Sequence, residues 1–221
     1  MRLQLLSVIF PVLAGSGSVA AETPFEHQVL VALNSARTDP AAYAAGLQQY
    51  RTYFHGKLLR YPGADAELET EEGVAVVDDA IAFLTRQPPV AAVAAAPLFA
   101  ASAADLVADQ AQGGTGHDAS DGSTPADRAH RHGGGSFVAE VIAYGPVDPA
   151  DVVRQLIIDD GVPDRGHRGV IYSPELRFAG VACGPHPEYR MVCVIDLGDT
   201  PDGRAPTAPP ARIRKRLRVG A

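Results

Sequence analysis

The chain has 221 residues, of which 46% are hydrophobic, 20% charged and 6% aromatic, and it contains 22 Gly and no Trp. This apolar content excludes a wholly disordered chain, and the length suffices for one good core or two small ones. Six of the 19 basic residues but only one of the 26 acidic residues lie in residues 200–221, so residues 1–199 carry a formal charge of −12. Such an acidic body argues against nucleic acid as the main partner.

Both ends of the chain have patterns typical of segments outside the fold. Residues 1–21 contain Arg2, an apolar run and small residues at positions 19–21, which predicts a secretory signal cleaved before Glu22. The run is too short to span a bilayer, so we expect a secreted or periplasmic protein that does not span a membrane. Residues 200–221 are rich first in Pro and Ala and then in Arg. This composition predicts a flexible basic tail and leaves residues 22–199 as the folded domain.

The two cysteines of the chain are Cys183 and Cys193. In an exported protein such a pair is more often a disulfide than a metal site or a catalytic thiol. Residues 184–188 between them are strong turn formers, and a hairpin centred near Glu188 would place the cysteines directly opposite each other. We therefore expect a structural disulfide that contributes about 2–3 kcal/mol.

Helical patterns occupy most of the body. Apolar residues repeat with helical spacing over residues 23–37, 74–84 and 98–111. Asp39, Thr124 and Asp148 each precede a Pro, which is typical of an N-cap followed by the first helical residue. Residues 50–73 lack periodicity and contain Pro62 and Gly63, so we interpret them as an unusually long loop.

Strand patterns appear mainly near the end of the body. Residues 137–144 favour one strand, and residues 178–183 and 191–197 form the two arms of the cysteine hairpin. Both faces of the hairpin are apolar, with Val181 and Ile195 on one face and Ala182 and Val194 on the other. Because such a sheet must be covered on both sides, we predict an α+β fold: an α-β-α sandwich around a small central antiparallel sheet.

Several polar residues could carry chemistry. His117 follows a glycine-rich loop, where a solvated histidine is the ordinary interpretation. Glu140 interrupts an apolar strand, and a carboxylate in such a strand needs a partner. Asp159 and Asp160 close the helix that begins at Asp148, where the helix dipole opposes negative charge. They either end the helix or bind a ligand.

His167 and Arg168 follow Gly166 in a segment that could be a surface loop, with Arg168 paired to an acid. Two imidazoles and two or three carboxylates suit a divalent cation or proton transfer. Their spacing matches no local metal signature, and we interpret His130 and His132 as the polar end of a helix. The residues alone leave open whether these side chains bind a ligand or only stabilise the fold.

The order of these segments resembles the CAP superfamily of cysteine-rich secretory proteins, antigen 5 and pathogenesis-related proteins, in its bacterial secreted form. The resemblance rests on Gly116-His117, on residues 139–145 (AEVIAYG) in the place of the family's Gly-Glu-Asn-Ile/Leu-Ala-x-Gly, on Gly166-His167-Arg168, and on the hairpin at 179–183. It covers about residues 23–199. It implies an α-β-α sandwich with a central cleft, whose floor in the family holds two histidines and two acidic residues that can bind a divalent cation.

Carried over residue by residue, the resemblance makes His117, Glu140 and His167 predicted cation ligands. Asp159 or Asp160 is the predicted second acid, and both remain candidates. This mixed set of imidazoles and carboxylates suits Zn²⁺ or another borderline ion better than Ca²⁺, which prefers oxygen alone.

Other residues of the same motifs would shape the cleft. Tyr144 and Arg168 are predicted binding residues. Val141 and Val170 stand where asparagine is common in the family, which predicts a locally more apolar cleft wall.

The leading interpretation is a secreted CAP-domain protein that acts as a binding or interaction module, with a shallow divalent-cation site and a lipid, envelope or protein ligand. The alternative is a metal-dependent extracellular hydrolase, in which Glu140 or an Asp acts as general base and a His-bound metal activates water. We favour the binding module because the sequence presents no nucleophile with a committed base. A third interpretation, a structural envelope protein with an inert polar cleft, predicts no response to metal ions.

Overall fold

The computed structural model describes residues 25–146 and 148–206, so the predicted signal at 1–21 and most of the predicted tail, residues 207–221, lie outside the described residues. The helices are α1 (Phe25–Thr38), α2 (Pro40–Arg51), α3 (Val74–Arg86), α4 (Pro97–Gln110), α5 (Pro125–Arg131), α6 (Pro149–Ile158) and α7 (Gly166–Ile171). The strands are β1 (Phe54–His55), β2 (Leu58–Leu59), β3 (Leu68–Glu69), β4 (Ala94–Ala95), β5 (Ala139–Tyr144), β6 (Phe178–His186) and β7 (Arg190–Gly198).

The central sheet has four strands in the order β4-β6-β7-β5. Strands β5, β6 and β7 are antiparallel, as predicted, and the two-residue strand β4 pairs parallel to β6 at one edge. Strand β5 forms the other edge. In the β6–β7 hairpin Cys183 lies opposite Cys193, and the two form a disulfide, which confirms the predicted bridge.

Helices cover both faces of this sheet. One core contains residues of α1, α2, α3, α6 and α7 packed on Val141, Val181 and Ile195. A second, smaller core joins α4 to Ile142 and Val194 on the opposite face. The two cores confirm the predicted α-β-α sandwich, because alternate residues of the same strands enter different cores.

Local capping chemistry explains where several helices begin. The Asp39 side chain accepts a hydrogen bond from the Ala42 N–H at the start of α2. Thr124 and Asp127 form a reciprocal capping box at the start of α5. Asp148 caps α6 through the Asp151 N–H. Each is followed by Pro in the first turn, as the sequence predicts.

The segment interpreted as a long loop contains a second, three-stranded antiparallel sheet, β1-β2-β3. Its strands have two residues each, too few to produce a visible alternation in sequence. The segment after Asp199 also differs from the expected tail. Gly203 is buried, the Gly135 N–H donates to the Asp202 carbonyl, and the Phe137 N–H donates to the Gly203 carbonyl. The ordered packing therefore continues past residue 199.

Within residues 25–146 and 148–206, no helix is long and apolar enough to cross a membrane.

Candidate functional site

A glycine-rich turn after α4 presents His117. Gly113, Gly114 and Gly116 all have positive φ, from 94° to 109°, a region that residues with a Cβ rarely adopt. The Gly116 N–H donates to the Tyr144 hydroxyl at 2.9 Å, and that hydroxyl donates to Gln110 Oε1 at 3.1 Å. Gln110 Nε2 in turn donates to the Gly116 carbonyl at 2.8 Å. Tyr144, predicted to bind a ligand, therefore holds the loop that carries His117.

His117 forms a pair with Glu140. Its Nδ1 donates to Glu140 Oε1 at 2.8 Å, and the second carboxylate oxygen accepts from Arg128 Nη2 at 2.6 Å. The Glu140 and Arg128 side chains are fully buried, whereas the His117 side chain is 49% exposed. The hydrogen bond to Glu140 and the charge of that carboxylate raise the pKa of His117, against the opposing effect of partial burial.

Arg128 fixes both members of this pair. Its Nη1 donates to the backbone carbonyls of His117 at 3.0 Å and of Ser123 at 2.8 Å. One guanidinium group thus connects the loop of His117, the start of α5 and the carboxylate of Glu140. The carboxylate in the apolar strand has the partners that its burial requires.

A second buried carboxyl group lies behind Glu140. Asp196 of β7 is directly opposite Glu140 of β5 and is fully buried. Burial raises the pKa of Asp196 well above its ordinary value, and the adjacent Glu140 carboxylate raises it further. The Ser102 hydroxyl and the Glu140 carboxylate both lie close enough to the Asp196 carboxyl group to affect its pKa. The face of the sheet under α4 therefore holds an unusually polar pocket of buried atoms.

His167 forms a similar pair with Asp159. Its Nδ1 donates to Asp159 Oδ1 at 2.6 Å, and the exposures of the two side chains are 26% and 1%. Asp159 ends α6 in the left-handed conformation, with φ 63° and ψ 44°. Its second oxygen accepts from the Arg168 N–H at 3.1 Å. The helix end thus places a buried carboxylate under an accessible imidazole.

Arg168 explains how α6 tolerates acidic residues at its C-terminus. Its Nε donates to the Ile157 carbonyl at 2.6 Å and its Nη2 to the Ile158 carbonyl at 3.0 Å. Its Nη1 donates to Asp79 Oδ2 at 2.8 Å. A buried cation on the last carbonyls offsets the unfavourable dipole. The pairing with an acid is as predicted, but Arg168 lies in helix α7 and is buried, so the expected surface loop is wrong.

Asp160 does not join either histidine pair. Its two carboxylate oxygens each accept a backbone N–H at 2.8 Å, one from Glu71 and one from Glu72. Glu72 in turn accepts from the Gly161 N–H and from Arg165. Of the two candidates for the second acid, Asp159 contacts the second histidine, whereas Asp160 connects the α6–α7 loop to the start of α3.

The two pairs lie on either side of the edge strand β5. Alternation places Glu140 on the same face as Ile142, under α4, while α6 and α7 contact β5 from the other layer. In both pairs Nδ1 is bonded to a buried carboxylate, and the Nε2 atoms have no hydrogen-bond partner among residues 25–146 and 148–206. The described residues contain no group of three or more His, Cys, Asp or Glu side chains arranged to hold a metal ion. The predicted five-residue ligand set is therefore not gathered at one point.

Two residues of this site were not among the sequence candidates. Arg128 lies in a short polar helix, and Asp196 follows an apolar run in β7. The one signal for Asp196 was a carboxylate within a buried strand, the same signal that singled out Glu140.

The fold is an α-β-α sandwich in which two histidine–carboxylate pairs flank the edge strand β5. A model of the family described as CAP, the cysteine-rich secretory protein family, matches residues 85–196, just over half of the chain. The chain therefore belongs to the CAP family. Members are typically extracellular, and membership supports a secreted-type interaction module in general. No curated protein and no solved structure matched the chain.

Proposed function

We propose that this protein is a secreted interaction module that binds one divalent cation across the edge strand β5, through the imidazoles of His117 and His167. The observation that carries the proposal is their common arrangement: in each, Nδ1 donates to a buried carboxylate and Nε2 stays unbonded within the described chain. A carboxylate on Nδ1 fixes the tautomer that leaves the Nε2 lone pair available to a metal.

We assign the carboxylates a role other than the direct cation binding expected from the sequence. Glu140 is shared by His117 and Arg128, and Asp159 is shared by His167 and the Arg168 N–H. We assign both acids to orienting the imidazoles rather than to binding the cation. The donor set is then two nitrogens with further positions left to water or to a ligand, which suits Zn²⁺ better than Ca²⁺.

A calorimetric titration of the full chain with Zn²⁺ tests the proposal. We expect one binding event, weakened at least tenfold by His117→Ala and by His167→Ala, because each removes one of two ligands. His130→Ala is the matched control: His130 is exposed on α5, and within the described residues its side chain hydrogen-bonds only to Ser136. Binding that survives both cleft substitutions, or no binding by the unsubstituted chain, would contradict the proposal.

The same cation would serve a hydrolase, the alternative function, by lowering the pKa of bound water. Turnover of ester and peptide substrates by the zinc-loaded chain distinguishes the two candidate functions. A binding module binds zinc without turnover. A rate that His117→Ala abolishes would replace the proposed function with the hydrolase.

A further inference from the structure

A surface cavity of about 400 Å³ lies beside the small β1-β2-β3 sheet, in the part of the chain that precedes the family match. Its lining includes Thr52, Tyr53, His55, Arg60, Tyr61 and Asp65. Small-molecule sites have volumes of roughly 300–1,000 Å³, so the cavity has the size of a site for a small ring. Surface segments that connect larger elements often carry function, and this cavity lies in the segment between α2 and α3.

Tyrosine rings form one wall of the cavity and are held from behind. The Tyr53 and Tyr61 ring centroids are 6.1 Å apart, and both rings pack on Tyr50, at 6.2 Å and 6.0 Å. The Arg154 guanidinium lies 4.7 Å from the Tyr50 ring centroid and also donates to the Tyr61 hydroxyl at 3.3 Å. These contacts order the aromatic wall before any ligand arrives, which reduces the entropic cost of binding.

Three polar side chains at the same cavity have no interaction partner among the described residues. His55, Arg60 and Asp65 are exposed, and none of the three side chains has a hydrogen bond or ion pair within residues 25–146 and 148–206. By contrast, Arg154 and Arg165 each pair with an acid. The cavity therefore combines fixed aromatic faces with free donors and acceptors.

We propose that this cavity binds one hexopyranose ring of a carbohydrate chain. A pyranose has faces of C–H groups, which pack on aromatic rings, and a perimeter of hydroxyls, which donate and accept hydrogen bonds. Arg60 and His55 supply donors, and Asp65 supplies an acceptor. An acyl chain would leave these polar groups without partners. The site is independent of the histidine pairs and of the proposed function.

Calorimetric titrations of the full chain with three soluble hexamers test this inference: those of N-acetylglucosamine, β-1,4-linked glucose and galacturonate. We expect at least one to bind, and we expect Tyr53→Leu and Arg60→Ala each to weaken that binding roughly tenfold. Lys57→Ala is the matched control, because Lys57 is an exposed cation between β1 and β2 that does not line the cavity.

Two results would overturn the inference: no heat from any hexamer at about 10 mM, or binding that both cavity substitutions leave unchanged. Arg60→Ala keeps the test decisive if Tyr53→Leu perturbs the fold, because the Arg60 side chain is exposed and has no hydrogen bond or ion pair with the described residues. An unchanged thermal unfolding midpoint of both variants would show that any loss is confined to the cavity.

Discussion

Glu140 determines both the orientation and the charge of His117, because one of its oxygens accepts from the imidazole and the other from buried Arg128. The raised pKa of His117 follows from this hydrogen bond first and from the negative charge second. Protonated His117 stabilises the folded state below its unfolded pKa of about 6.5. That contribution is lost as the pH rises through the raised pKa of the folded state.

Glu140→Gln should lower the pKa of His117, because the substitution removes the charge that favours the imidazolium. The substitution also leaves buried Arg128 without its anion, so we expect a loss of about 3–5 kcal/mol of stability. An NMR titration of the His117 ring measures the pKa, and urea unfolding measures the stability. A His117 pKa that does not fall would show that Glu140 does not control its protonation.

Asp196→Asn should stabilise the protein at about pH 8 by about 1–3 kcal/mol. The raised pKa of Asp196 means that the folded state binds this proton more tightly than the unfolded state, so wild-type stability falls as pH rises from about 4 toward the raised pKa. Asparagine resembles the protonated carboxyl group and does not ionise. The extra stability of the variant over wild type should disappear near pH 4.

Denaturant unfolding across this pH range checks the Asp196 prediction. Glu67→Gln is the control, since it removes one exposed carboxylate that has no hydrogen-bond partner in the described chain. If the free energies of unfolding of Asp196→Asn and wild type differ by the same amount at both pH values, ionisation of Asp196 is not the cause of the difference.

At the scale of elements, helix α4 lies very close to strand β6 because Gly180 has no side chain. A Cβ at Gly180 would lie 1.9 Å from the Ala100 nitrogen and 2.3 Å from the Phe99 carbonyl carbon. Gly180→Ala should therefore push α4 off the sheet and cost about 3 kcal/mol or more. Thermal unfolding checks this expectation.

Gly169→Ala is the control for this prediction. A Cβ at Gly169, within α7, would meet nothing within 4 Å, so alanine should be neutral or raise stability by about 0.5–1 kcal/mol. Equal effects of the two substitutions would mean that close packing at Gly180 does not hold α4.

The parts of the fold that could be predicted from sequence are those with local causes. Asp39, Thr124 and Asp148 mark helix starts because an N-cap contacts N–H groups only two or three residues away. Strands of two residues and the six-residue helix α7 are too short to show a period, and were missed.

The sequence singled out the histidines and carboxylates of the two pairs, but not which of them pair or which other residues join them. His117 and Glu140 are 23 residues apart, and nothing local indicates that Arg128 joins them. Asp159 and Asp160 are neighbours in sequence, yet the left-handed conformation at Asp159 directs one to His167 and the other to the start of α3. Such a choice depends on tertiary contacts that the sequence does not display.

At the scale of the whole molecule, the disulfide joins the long β6–β7 hairpin that forms the centre of the sheet. The hairpin also contacts the loop of His117, because buried His186 near its turn donates from Nε2 to the Gly114 carbonyl at 2.8 Å. The bridge therefore stabilises a hairpin that also holds the loop of His117 in place.

Replacing both cysteines with serine should cost about 2–3 kcal/mol, the value expected for closing a small loop in the unfolded chain. Thermal unfolding of the double variant, compared with the oxidised and the reduced wild type, measures the loss. The reduced wild type should match the variant, and equal stability of all three would show that the bridge contributes nothing.

The most direct test of the central claim, that two carboxylate-oriented imidazoles bind one cation, is an anomalous diffraction map of crystals of the full chain grown with Zn²⁺. The account predicts one peak, about 2.0–2.1 Å from the Nε2 atoms of both His117 and His167. A peak at one histidine alone, a peak bound directly by the Glu140 or Asp159 oxygens, or no peak at β5 would contradict it.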